Sequence, residues 1–188
     1  MTACCNSGCK ADGQNTAEAV LANIANRKSV RHFVEGKEVS KADLETLVKA
    51  GMAAPTARNS QPWEFYVVST PEGKQALVDG LPYAKMLAQA SAAIVVCGNA
   101  EYMLDGEGRE YWVQDCSAAT ENILLAAEAM GLGAVWMGVY PVRERVKFVQ
   151  EALSLPSTHL PLCVIPVGYP TGEDQPKDKY KADRIYWK

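Results

Sequence analysis

Apolar residues recur at helical spacing over Val20, Leu21 and Ile24, behind Thr16, which is suited to an N-cap; the pattern predicts a first amphipathic helix over residues 16 to 27. Ser40 opens a second helix, with Asp43 in the capping-box position and Leu44, Leu47, Val48 and Met52 on one face. The polar stretch from Ala53 to Pro62 is too long for a tight turn and reads as a substantial loop. WEFYVVS then alternates aromatic and β-branched residues as a strand, and Thr70–Pro71 caps a short helix.

Ser91 to Cys97, SAAIVVC, is apolar without alternation and predicts a buried strand. The segment from Glu101 to Trp112 has no steady period and is a candidate lid. From Asp115 to Met130 the apolar positions cover more than one helical face, so this helix is expected to be buried on most sides, with Gly131 and Gly133 ending it. AVWMGVYP reads as a strand stopped by Pro141, residues 142 to 152 as a helix, and PLCVIPVGYP as the last strand. Beyond Pro170 the charged extension TGEDQPKDKYKADRIYWK lacks core periodicity, and its Ile185, Tyr186 and Trp187 are expected to dock on something. Strands separated by helices, with no internal repeat, give one α/β (α+β) domain over residues 16–188, behind a polar, cysteine-bearing tail over 1–15 that is expected to be disordered.

Composition narrows the possible partners. With 188 residues and 48% hydrophobic content the chain can bury a full core. Lys+Arg 19 against Asp+Glu 22, a net charge of -3, leaves no basic field for nucleic acid. The longest apolar runs fall far short of the roughly 20 residues that span a bilayer. The first fifteen residues also lack the apolar core of a secretory signal, so the expectation is a cytoplasmic protein without a membrane partner. Cys97, Cys116 and Cys163 sit among apolar neighbours and read as small hydrophobes. Cys4, Cys5 and Cys9 crowd the polar tail, where vicinal thiols could bind a soft metal or form a redox pair.

Much familiar chemistry is missing. With only His32 and His159, no His-based metal site can be assembled, and neither a GxSxG nor a GxxxxGK[ST] motif occurs. Gly131, Gly133 and Gly138 follow a helix and lead into a strand, the reverse of a dinucleotide-binding turn, and read as turn and packing glycines. No side chain is an obvious catalyst, so an enzyme built on this chain would take its hard chemistry from a cofactor.

Two segments carry candidate chemistry. In Arg27-Lys28-Ser29-Val30-Arg31, three cations and a hydroxyl lie within five residues at the end of a helix. There they could simply favour the helix dipole, or Arg27, Ser29 and Arg31 could project together in an extended row that holds a phosphate and a polarised carbonyl. Pro55-Thr56-Ala57-Arg58-Asn59-Ser60-Gln61-Pro62-Trp63 could be a hydrophilic turn or a binding loop. Taken in order, RKSVR, APTARNSQPWEF, ENILLAAEAMGLGAVWMG and the basic tail resemble the FMN-dependent nitroreductase family, from about Asn26 to Trp187.

The resemblance implies a dimeric three-layer sandwich, a mixed central sheet flanked by helices with a C-terminal extension, and two FMN molecules at the subunit interface. It assigns Arg27, Lys28, Ser29 and Arg31 to FMN from one subunit, with Arg27 and Ser29 toward the phosphate and ribityl end and Arg31 at the N1/O2 edge. Pro55, Thr56, Ala57 and Asn59 would come from the other subunit. Met137, Gly138 and Val139 would lie beside the ring, with a backbone N–H near N5, and Lys177 and Lys179 would meet the phosphate, Arg184 competing for that role. Lys28, Thr56 and Lys179 stand where Arg, Ser and Arg are commoner, and a lysine lacks the bidentate fork of arginine. The implied reaction passes hydride from NADH or NADPH through flavin N5 to a nitroaromatic, quinone or flavin acceptor by a ping-pong mechanism. A dehalogenase-like reaction on the same fold, or a redox-sensing module working through Cys4, Cys5 and Cys9, are the alternatives.

Overall fold

The computed structural model describes residues 11–188, with side chains from residue 16 onward. Helix α1 spans Ala11–Asn26, starting five residues before the Thr16 cap expected from sequence. Cys4, Cys5 and Cys9 lie outside the described residues. Helix α2, Lys41–Met52, starts as its capping signal requires: the Ser40 hydroxyl accepts from Asp43 N–H at 3.1 Å and donates to the Asp43 carboxylate at 2.7 Å. Strand β1 (Trp63–Val68) leads to helix α3 (Pro71–Gly80), where Thr70 Oγ1 accepts from Gly73 N–H at 3.2 Å. Strand β2 (Ala92–Asn99), helix α4 (Tyr111–Ala129), strands β3 (Gly133–Ala134) and β4 (Met137–Gly138), helix α5 (Arg143–Ala152) and strand β5 (His159–Gly168) complete the order.

The sheet runs β1-β2-β5-β3, with β4 also paired to β5, and every one of these pairings is antiparallel. The mixed sheet implied by the resemblance is therefore corrected for the single chain. Alternate residues of β2 explain its unbroken apolar run: Ile94 and Val96 join a core with α2 and α4, while Ala93, Val95 and Cys97 join a second core with α3 and α5. Both faces are covered, giving the three layers expected, and alternation vanishes because neither face meets water.

Three other expectations shift. AVWMGVYP is two short strands rather than one, broken at Val135 and Trp136. Met52, placed by periodicity on the buried face of α2, is 52% exposed. Helix α4 begins at Tyr111 and takes in the end of the lid candidate. Its Trp112 fills a notch at Gly98, where an added Cβ would stand 2.3 Å from the indole, and meets Tyr140 edge-on at 4.8 Å. The glycines behave as read: Gly131, at φ 70°, ends α4, and Gly133 lets Val30 approach so closely that a Cβ would lie 2.5 Å from its Cγ1. The tail beyond Pro170 has one short helical turn, Ala182–Arg184, and leaves Tyr180, Tyr186 and Trp187 largely exposed. Among the described residues no helix is long and apolar enough to cross a membrane.

Candidate active site

The segment after α1 is pinned from both sides. Val30 is buried beneath Gly133, and its N–H donates to the Ala134 carbonyl at 3.0 Å. Further on, Val34 N–H bonds Tyr169 O and Thr171 N–H bonds His32 O, so the segment is zipped to the start of the tail. Where that ladder ends, Asp174 Oδ2 accepts from the backbone N–H groups of Arg31 at 2.8 Å and His32 at 3.1 Å, and lies 3.1 Å from His32 Nδ1. Burial pushes the Asp174 carboxyl up, but the Arg31 and His32 hydrogen bonds outweigh it and hold the group below its ordinary range.

The predicted row of cations is divided. Arg27 Nε pairs with Glu121 at 3.1 Å and Lys28 Nζ contacts both Glu128 oxygens at 3.0 Å, so both side chains lean on α4. Ser29 and Arg31 remain exposed. Arg31 reaches a cleft of about 800 Å³ lined also by Leu81, Pro82, Tyr83, Lys85, Met86, Val135, Trp136, Met137, Gly138 and Arg145. Of the thirteen residues proposed from sequence, Arg31, Met137 and Gly138 meet in this cleft. Val139 is fully buried instead, with its N–H committed to the Leu162 carbonyl at 3.0 Å.

The loop carrying Pro55, Thr56, Ala57 and Asn59 does not line the cleft. It packs at the start of α4, where buried Asp115 accepts from Ala57 N–H at 2.8 Å and Thr56 Oγ1 accepts from Gln61 N–H at 3.2 Å. Arg58, Asn59 and Gln61 all have left-handed backbone, with φ of 51°, 55° and 49°. Lys177, Lys179 and Arg184 lie exposed in the tail and do not line the cleft.

Sequence reasoning missed Tyr83, Lys85, Trp136 and Arg145. One signal was available for the last: Arg143 and Arg145 stand in the first turn of α5, where a cation opposes the helix dipole. The three interior cysteines are free and buried, and burial is the main cause that pushes their thiols up, Cys163 to about 12. They are inert packing groups.

The nitroreductase family profile matches residues 24–81 and 74–169, most of the chain. The chain belongs to the nitroreductase family. A relative from Archaeoglobus fulgidus, provisionally named an NADH dehydrogenase/NAD(P)H nitroreductase, is 45% identical over 166 residues, covering 88% of this chain and 92% of its own. A crystal structure of a protein with the same provisional name, from Bacteroides thetaiotaomicron, superposes with a TM-score of 0.84 at 48% identity, covering 90% of this chain and 96% of that one. A provisionally named nitroreductase from Desulfovibrio desulfuricans, solved with FMN bound, superposes with a TM-score of 0.78 at 28% identity, with the same coverage of 90% and 96%. Within this nitroreductase-family fold, the strap at Arg31 and the broken strand pair at Met137 and Gly138 meet in the cleft, and the strained loop lies apart from it at the start of α4.

Proposed function

We propose that this nitroreductase-family protein is an FMN-dependent NAD(P)H oxidoreductase, working as a homodimer with FMN at the subunit interface and delivering electrons to a nitroaromatic, quinone or flavin acceptor. The observation that carries the reading is the cleft. Its volume suits a cofactor, Tyr83 and Trp136 offer aromatic and Met137 apolar surface, and Arg31, Lys85 and Arg145 supply cations with no Asp or Glu among the lining residues. A planar, electron-accepting ring that gains negative charge on reduction matches that set. The family relatives support the cofactor and the donor.

In this reading FMN, when bound, supplies the two-electron carrier between nicotinamide and acceptor. The chain's residues do the rest. Arg31, whose backbone N–H is held by Asp174, would set its guanidinium at the N1/O2 edge of the ring and favour the more negative, reduced cofactor. Met137 and Gly138 pack beside the ring. Ser29, with Lys177 and Lys179 of the tail, serves the phosphate; Arg27 and Lys28 reach it only by sharing themselves with Glu121 and Glu128. Pro55, Thr56, Ala57 and Asn59, which do not line the cleft in one chain, come from the second copy. With one cleft for both substrates, donor and acceptor enter in turn, which gives ping-pong kinetics. Three unpaired interior thiols suit a reducing compartment such as the cytoplasm.

The test is the absorption spectrum of purified protein. It should be yellow and release about one FMN per chain on denaturation, the stoichiometry of two FMN sites in the proposed homodimer. Colourless protein that fails to take up added FMN would overturn the reading. Mixing Asn59→Ala chains with Arg31→Ala chains should restore a fraction of intact sites, since each mixed dimer has one site free of both changes; no recovery would sink the shared-site arrangement.

A further inference from the structure

Arg31, Lys85 and Arg145 converge on the cleft from three separate elements, and among the described residues none of the three is in an ion pair. FMN brings a single phosphate. In the reading above, Arg31 meets the N1/O2 edge and the phosphate lies with Ser29 and the tail, which leaves Arg145 without an anion. Its position is specific: Nη1 donates to the Gly138 carbonyl at 3.2 Å, so the guanidinium is anchored at the residue that packs beside the ring. One donor is used, and the rest of the planar fork remains for an oxyanion. The placement is also locally unfavourable, a cation in the first turn of α5, which is the kind of local conflict that marks a functional residue.

Tyr83 adds a second observation. It lines the same cleft, is 88% exposed, and holds a left-handed backbone at φ 62°, a conformation uncommon for a bulky residue. With Trp136 it supplies aromatic surface to the cleft that Arg145 also lines.

We propose that Arg145 and Tyr83 form an acceptor subsite that selects aromatic substrates carrying an acidic group, Arg145 reading the oxyanion and Tyr83 packing on the ring. The proposal rests on the oxidoreductase reading and names the substrate class of that site.

The experiment compares 4-nitrobenzoate with nitrobenzene, and NADPH with NADH, in wild type, Arg145→Gln and Arg145→Lys. The ratio of kcat/KM for nitrobenzoate over nitrobenzene should fall about 10- to 100-fold in the glutamine variant, the scale of one charge-assisted hydrogen bond, and less in the lysine variant. An unchanged ratio would overturn the proposal. So would a fall confined to the NADPH-over-NADH ratio, which would make the oxyanion a donor phosphate, or a tenfold loss of FMN affinity, which would make Arg145 a cofactor ligand. A binding arm needs no turnover: tryptophan fluorescence titrations with benzoate and benzamide should show a preference for benzoate in wild type that Arg145→Gln loses. Protein that binds no FMN defeats the oxidoreductase reading, while the titrations still decide whether Arg145 recognises the anion.

Discussion

At Asp115 a single buried carboxylate bears on a whole loop. Three residues between Arg58 and Gln61 hold left-handed backbone without being glycine, at about 1 kcal/mol or more each. What holds them is the bond from Ala57 N–H to Asp115, on a carboxylate that is 5% exposed, together with the Thr56 bridge to Gln61. Asp115→Ala should cost about 1.5–3 kcal/mol in urea unfolding, and Asp115→Asn, which keeps an acceptor oxygen, about half of that. The alanine variant should also lose FMN affinity if, as proposed above, the loop is the second copy's contribution to the site. Loss of stability with intact FMN affinity would separate the loop from the site. Arg58→Gly, which relieves one strained residue, should leave stability unchanged or raise it by up to about 1 kcal/mol. None of this was legible in APTARNSQPW. The motif's residue types were visible, but the loop's anchor, the bond from Ala57 to Asp115, lies far along the chain, which no local pattern encodes.

Elements were more readable than their interplay. Ser40 with Asp43, Thr70 with Pro71 and the run SAAIVVC each carry a local physical signal, and each appears where that signal puts it. The break between β3 and β4 and the cleft it borders depend on how β5 pairs with both, so AVWMGVYP alone could not show them. Gly133 illustrates the coupling. A methyl group there would collide with Val30 Cγ1 and Cβ, 2.5 Å and 2.9 Å away, and neither can yield without moving the strap that ends in Arg31. Gly133→Ala should destabilise by about 1–3 kcal/mol and slow flavin reduction by NAD(P)H, read by stopped-flow absorbance. The other end of the strap depends on Asp174. Its carboxyl titrates below its ordinary value in the folded chain, so its contribution is present above the unfolded value of about 3.9 and is lost as pH falls through the lower folded value. The amide proton shifts of Arg31 and His32 should therefore titrate together, with a midpoint below about 3.9, and should show no such transition in Asp174→Asn. Independent midpoints for the two amides would mean that one carboxylate does not serve both.

The single chain leaves several large apolar side chains in water. Helix α1 touches α4 through Asn23, whose side-chain amide donates to the Leu125 carbonyl at 3.0 Å, yet its Val20, Leu21 and Ile24 are 54%, 66% and 50% exposed. Val67 on edge strand β1 and Trp187 in the tail, 44% and 91% exposed, add further patches. Scattered exposed apolar residues need no explanation, but a helical stripe and an aromatic arm on one chain mark surfaces that a partner covers. In the proposed homodimer a second copy covers these surfaces and also brings the loop at Asn59 to the cleft. Sedimentation should therefore give a species of about twice 20.4 kDa. Replacing Leu21 and Ile24 together with Glu removes nothing from the chain's own core, because neither belongs to it. Circular dichroism of the double variant should show native secondary structure, while the dimer dissociates and FMN is released with it. A double variant that sediments as a monomer and keeps FMN at wild-type affinity would show that one chain forms a complete site, and the partner's loop would lose its role.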